Sequence, residues 1–477
     1  MKSKLFFHAF ILLCMTPGLF GQKSTINYDL SSYKLPVMKR QVLELQFGLN
    51  GKNQKSNIQN VTDSTITSNQ SFFSNITPNY SFYLNTKKFQ VSNSINISPL
   101  NYNYAKSKNN GSSNLVMSYN PSISYSGSHR YYFVKKFFVE ADLNFDYKYD
   151  NTKNELKGIP TENKTSTTNS NLFVSVPLSL GWGRIERVED ARLAVYILDD
   201  LNKAGKIGRE LTNDEITQFA SLISEIKNKR FFDSREQKIY ELQQMDSFLV
   251  SNKIVVSPDI TYFSLMNDNW DYSSEPIRES GFKVNIGISP SYSNNNDVFH
   301  NNNDSSQYRK EKTENSYFNG IMDIEYEKPL NLFWQLSVSD MLSGGKNRMD
   351  LINSGYIYAD TSKANNWSLQ NSLNAFLSYY PNSRTEMSLG SSLSYYINNY
   401  RDLKASPDMD DSFYNRLNET VSLNVSYYIS PRVRFGFNSS YNYNIINNKA
   451  EDPNGNIKAK SKFNNFTASA SLIYKIL

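Results

Sequence analysis

Cysteine is all but missing from this chain: Cys14 is the sole one in 477 residues, and it lies in the apolar leader. Everything after that leader lacks a thiol for disulfides, for nucleophilic chemistry or for a Cys-ligated metal site. Histidine is nearly as scarce. Beyond the leader only His129 and His300 occur, far apart in sequence, which leaves a His-rich metal site without ligands. No apolar run of about 18 residues follows the leader, so no helical membrane span is expected. The net charge of +6 is spread thinly and forms no basic block, so nothing points to nucleic acid. No motif calls for a cofactor.

What is abundant is aromatic and polar. Aromatics make up 14% of the chain, with 33 Tyr and 29 Phe, although only 39% of it is hydrophobic. Disordered chains lack aromatics, and soluble domains carry more aliphatic residues. A membrane barrel reconciles the two, because only its outer face is apolar while its interior and loops are wet. The leader fits that destination. Lys2 and Lys4 precede the apolar run Leu5 to Met15, and Pro17-Gly18 breaks it, as in a secretory signal peptide cleaved after Gly21. A lipoprotein signal ending at Cys14 is the alternative, but Leu13 stands where a small residue is needed.

The barrel reading rests on period-two alternation. In the last segment Phe466, Ala468, Ala470, Leu472, Tyr474 and Ile476 share one face, and Asn465, Thr467, Ser469, Ser471 and Lys475 share the other. Val139, Ala141, Leu143 and Phe145 oppose Glu140, Asp142, Asn144 and Asp146 in the same way. About fourteen such segments follow one another, an even number as single-chain bacterial barrels have. Short links alternate with long polar ones such as 52–68, 152–167, 294–315 and 343–362, the expected pattern of periplasmic turns and extracellular loops. Pro78, Pro99, Pro121, Pro177 and Pro290 fall inside expected strands and predict bulges or shorter strands there.

Between Arg184 and about Trp270 the period changes to that of a helix. Val188, Ala191, Val195, Leu198 and Leu201 line one face, with Gly205 as C-cap. Thr212 to Glu215 reads as a capping box, a third helix begins near Asp233, and Ser257-Pro258 starts a fourth. The expected organisation is a signal peptide over 1–21, a periplasmic N-terminal segment over 22–40, and barrel strands over 41–183. A helical periplasmic insert over 184–277 and further strands over 278–477 complete it. The fold class is thus an all-β transmembrane antiparallel barrel with an α-helical insert, in the outer membrane of a Gram-negative bacterium.

Two sets of residues are candidates for function. Glu44, Glu140, Asp142, Asp323, Glu325 and Glu386 face inward near the turns, where they could form a cation-favouring constriction. Lys227, Lys229, Arg230, Arg235 and Lys238 cluster on the insert, where they could dock on those acids or on a periplasmic protein. Ordinary charges of a polar lumen, paired with residues such as Arg434 and Lys475, are the competing reading. Ser126-Gly127-Ser128-His129 brings serine and histidine together, but neighbours on a strand face opposite ways, so no catalytic pair and no enzyme is expected.

Tyr28-Asp29-Leu30-Ser31-Ser32-Tyr33-Lys34-Leu35-Pro36 before an alternating strand, with Gly21-Gln22 after the leader, resembles the start of outer-membrane barrels from Bacteroidota. The resemblance implies an outer-membrane location and lipid as a partner. The expected function is a porin-like channel for small polar solutes or ions. The alternative is a membrane-anchored scaffold that recruits a periplasmic partner through its insert.

Overall fold

The computed structural model describes residues 24–59, 64–109, 112–158, 162–229, 234–272, 278–304, 307–355, 359–402, 412–430, 433–452 and 455–474. The expected signal peptide lies outside the described residues. What is described is mostly one antiparallel sheet with four helices inserted midway.

The first part of the sheet comprises β1 (Met38–Gln59), β2 (Ser64–Asn85), β3 (Phe89–Ser98), β4 (Leu100–Asn109) and β5 (Ser112–Tyr119). It continues with β6 (Ser122–Val134), β7 (Phe137–Lys157), β8 (Asn163–Ser175) and β9 (Leu178–Arg187). After the helices come β10 (Glu279–Asn301), β11 (Arg309–Pro329), β12 (Trp334–Gly355), β13 (Ala359–Asn382) and β14 (Thr385–Asp402). The last three are β15 (Ser412–Ser430), β16 (Val433–Asp452) and β17 (Gly455–Tyr474). Seventeen strands make fourteen rows, because β3 with β4, β5 with β6, and β8 with β9 are halves of single rows. Each row pairs with the next in sequence, from β1 to β17.

Proline explains the three breaks. Pro99, Pro121 and Pro177 sit at the junctions, where a missing N–H cannot serve the ladder. Their carbonyls still can: Tyr149 donates to Pro121 O at 3.0 Å and Asp142 to Pro177 O at 2.9 Å. Pro78 and Pro290, expected to bulge or shorten their strands, instead lie within unbroken β2 and β10. Each faces a break in the neighbouring row, at Pro99 and Pro177 respectively. A proline opposite a gap leaves no acceptor waiting.

The long polar links also differ from expectation. β1 and β2 stay paired out to Gln59 and Ser64, and β10 to β13 carry strand through most of 294–315 and 343–362. The backbone ladder needs no apolar face, so pairing runs on through sequence without apolar alternation.

The sheet is rolled. Gln90 on β3 donates to Ile185 O on β9 at 3.1 Å, although three row spacings separate them, about 14 Å in a flat sheet. A single 3-10 turn, Leu30–Ser32, lies against β10 and β11. Only the chain from Ser32 to Met38, at most about 21 Å long, joins that turn to β1. Seven flat row spacings would need about 33 Å. The concave face is polar. The convex face exposes Leu43, Leu45 and Phe47 on β1, Leu180 and Trp182 on β9, and Phe318 on β11.

The helices are α1 (Glu189–Lys203), α2 (Asn213–Asn228), α3 (Ser234–Ser251) and α4 (Ile260–Asp271). α1 ends at Gly205, whose φ of +68° lets Lys206 N reach back to Leu201 O at 2.9 Å. α2 opens with the Thr212–Glu215 capping box, and the Asp259 carboxylate caps α4 through Tyr262 N at 3.0 Å. None of the described helices is long and apolar enough to cross a membrane. The molecule's main hydrophobic core is here and not in the sheet. Leu198, Phe219, Ile223, Met245, Leu249 and Met266 of the helices enclose Tyr28, Leu30, Tyr33 and Leu35 of the N-terminal segment. Leu332 and Phe333, from the turn between β11 and β12, join the same core.

Candidate functional site at the turn end

The insert leaves the sheet at Arg187 and re-enters at Glu279, and these two are register partners. Its helices are therefore held at the end where the short turns lie. Contacts from it reach turns and strands around that end. Arg40 on β1 approaches Asp190 of α1 at 3.8 Å. Tyr196 donates to Tyr380 O at 2.8 Å, Asp268 pairs with Arg384, and the Tyr272 ring meets that of Tyr428 at 5.9 Å. Arg278 is a buried tie, 1% exposed. Its guanidinium donates to Leu332 O, to Asn331 O and Trp334 O at 2.9 Å each, and to Gln335 Oε1 at 3.2 Å. Burial, with Arg192 nearby, pushes its pKa down to about 10. It therefore remains charged at neutral pH.

The N-terminal segment is stitched to the same bundle. Thr25 donates its N–H and hydroxyl to Asp199 at 2.6 and 2.7 Å, and Tyr33 OH meets Ser224 Oγ at 2.8 Å. Burial raises the Tyr33 pKa, so the phenol stays neutral. Asp190 accepts from Ser224 at 2.5 Å and from Lys227 at 2.7 Å. Burial opposes its ionisation, but Lys227, Ser224 and Arg40 together outweigh that and hold its pKa below the usual aspartate value. Next to it Glu189 is pushed the other way, by burial and by the Asp190 charge.

Below the insert, the concave face carries a charged cluster. Arg130 on β6 pairs with Glu140 on β7 at 2.6 Å, and Ser128 donates to the same carboxylate at 2.8 Å. Lys283 on β10 lies 2.9 Å from Glu325 and 3.2 Å from Asp323, both on β11. Arg184 bonds Glu186 at 2.5 Å and reaches across the rolled sheet to Asn85 at 2.8 Å.

Of the six carboxylates expected at this mouth, the structure brings Glu140, Asp142, Asp323 and Glu325 to one region of the concave face. Glu44 is exposed on β1, and Glu386 stands half-buried on β14. The cations facing the cluster are Arg130 and Lys283. Of the cations expected there, Arg434 instead lies over the Tyr428 ring and Lys475 is outside the described residues. Register would have found the right ones, since Arg130 opposes Glu140 and Lys283 opposes Glu325.

The insert's basic cluster is largely engaged within the bundle. Lys227 serves Asp190, Lys238 pairs with Asp271, and Lys229 sits 4.0 Å from the Tyr240 ring centroid. Arg235 also has a partner, and Arg230 lies outside the described residues. Ser128 and His129 lie on opposite faces, Ser128 toward Glu140 and His129 in register with Ala141. Among the described residues no group of His, Asp and Glu could hold a metal ion.

Compared with known proteins, the chain matches no family model and no curated protein.

Proposed function

We propose that the protein is an outer-membrane β-barrel, closed by pairing of β1 with β17, that admits small polar solutes or ions and is stoppered on its periplasmic side by the helical insert. The alternation of an apolar convex face with a polar concave one supports the membrane reading, since a soluble sheet would cover that apolar face. Fourteen rows approach porin width. The observation that carries the stopper is the shared core. The insert, the N-terminal segment and the turn between β11 and β12 bury one another, which supports a bundle seated over the turn end.

Conductance across a planar bilayer tests this. The full chain is expected to be silent or to flicker, and a chain with residues 189–271 replaced by a short glycine-serine link is expected to conduct steadily. Steady current from both would remove the stopper. Silence from both, with insertion verified by protease protection, would remove the channel.

The anchored-scaffold reading has its own observation. Val256 and Ile260 are 70% and 80% exposed on the insert, and Val250 and Phe263 are exposed as well. Exposed apolar side chains of that kind fit a periplasmic protein partner.

A further inference from the structure

The convex face holds a trough that the proposed channel does not use. Gly320 on β11 and Gly344 on β12 are register partners. Their missing side chains leave a depression of about 620 Å³ across β10 to β13. Ile286, Met322, Leu342 and Leu369 wall it. At its loop-side rim stand Trp367 and Lys346, which are register partners. Arg348 follows two residues beyond Lys346 on the same face.

Height along the strand gives this rim a meaning. β12 starts at Trp334, and Lys346 is twelve residues further on. At about 3.4 Å per residue and a tilt of about 40°, that rises about 31 Å, against an apolar band about 25 Å tall. The glycine pair thus lies at the edge of the hydrocarbon, and Lys346 and Arg348 lie at the membrane surface. Lys346 is exposed and makes no ion pair among the described residues. Among the described residues Arg348 pairs with Asp350 alone, at 3.3 Å, and its side chain is 59% exposed. Asp340, the nearest carboxylate toward the turns on this face, is occupied by Asn371 at 2.8 Å.

We propose that this trough binds one anionic, phosphate-bearing lipid. An acyl chain lies over Gly320 and Gly344 against the walls, and the phosphate is held by Lys346 and Arg348 beside the Trp367 indole. The inference rests on the membrane reading above, and it adds a specific annular lipid site on the loop side of one sector.

Native mass spectrometry of the full mature chain, released from vesicles of equimolar phosphatidylglycerol and phosphatidylcholine, tests it. The wild type is expected to retain phosphatidylglycerol selectively. Lys346→Gln and Arg348→Gln should each weaken that selectivity about fivefold, as expected for one surface cation facing anionic lipid. Gly320→Leu should lower retention of both lipids by filling the trough. A Cβ at Gly320 meets nothing nearer than Gly344 O at 3.8 Å, so the barrel should fold as before. Equal lipid occupancy in the wild type and all three variants would overturn the site, and so would displacement of the lipid by inorganic phosphate. Protease protection in the same vesicles separates the two levels. Failure to insert would bring down the membrane reading and the site with it, whereas insertion without selectivity would bring down the site alone.

Discussion

Replacing Arg278 with methionine tests how the insert is held to the sheet. Methionine keeps an unbranched stem of similar reach but removes every donor. Of the three carbonyls served by the guanidinium, Trp334 O keeps a second donor, Leu330 N at 2.9 Å. Asn331 is exposed and its carbonyl can turn to water, whereas Leu332 O and the side-chain carbonyl of Gln335 are left buried without the guanidinium. Each unsatisfied buried carbonyl costs about 1–3 kcal/mol, so the loss is about 2–6 kcal/mol. Relief from burying an uncompensated guanidinium offsets part of it. At a net loss of about 2 kcal/mol after that offset, the insert would part from the turn between β11 and β12 about thirtyfold more often. Native-state hydrogen exchange reads this directly: amides of α1 and α4 should exchange about thirtyfold faster, while those of β12 and β13 distant from the turn hold. In a planar bilayer the same variant should open more often than the wild type. A change of less than threefold in α1 and α4 exchange would refute the clamp, because two orphaned carbonyls cannot cost so little.

Acid should loosen the insert before the sheet. Asp190 and Asp199 have depressed pKa values, and the side-chain bond from Arg209 with the Thr212 amide lowers Glu215 from 4.5 to about 2. Depressed carboxylates stabilise the fold above their unfolded values and lose that contribution as pH falls through the folded ones. Protease susceptibility of residues 189–271 should therefore rise between about pH 4.5 and 2, and a flat profile there would contradict the assignment. Closure of the barrel can be trapped by cysteine pairs, one at Leu43, Leu45 or Phe47 and the other at Phe466, Ala468 or Ala470. At least one pair should cross-link in vesicles, and none doing so would rule out β1–β17 pairing. Val256→Asp with Ile260→Asp should leave folding intact, because both side chains are exposed, and should abolish any co-purifying periplasmic partner; retention of that partner would place its binding elsewhere.

Legibility followed the physics of each element. Strand alternation and the Thr212 capping box are local signals, and both appear in the structure at the residues that carried them. The strand extensions through polar sequence were invisible, because backbone pairing without apolar alternation leaves no periodic trace. The N-terminal segment read as a lead-in although Tyr28, Leu30, Tyr33 and Leu35 are buried, since their partners lie on α1 to α4, far along the chain. At the mouth, carboxylates were visible from their parity, but Arg130 and Lys283 needed cross-strand register. Lys227 read as part of a basic cluster docking outside the bundle. Its position directly after buried Ile226 put it at the rim of the apolar stripe, within reach of Asp190.

The stitching of Tyr33 to Ser224, across 191 residues of sequence, also orders events in time. The segment leading into β1 has no core of its own to join until α1 and α2 exist, so it must wait for the middle of the chain to be made and folded. β1 can pair locally with β2 before then, but the segment that leads into it docks only once the bundle has formed. If the barrel closes by β1, the strand that closes it is the one tethered to the bundle, so closing the ring and seating the helices are linked.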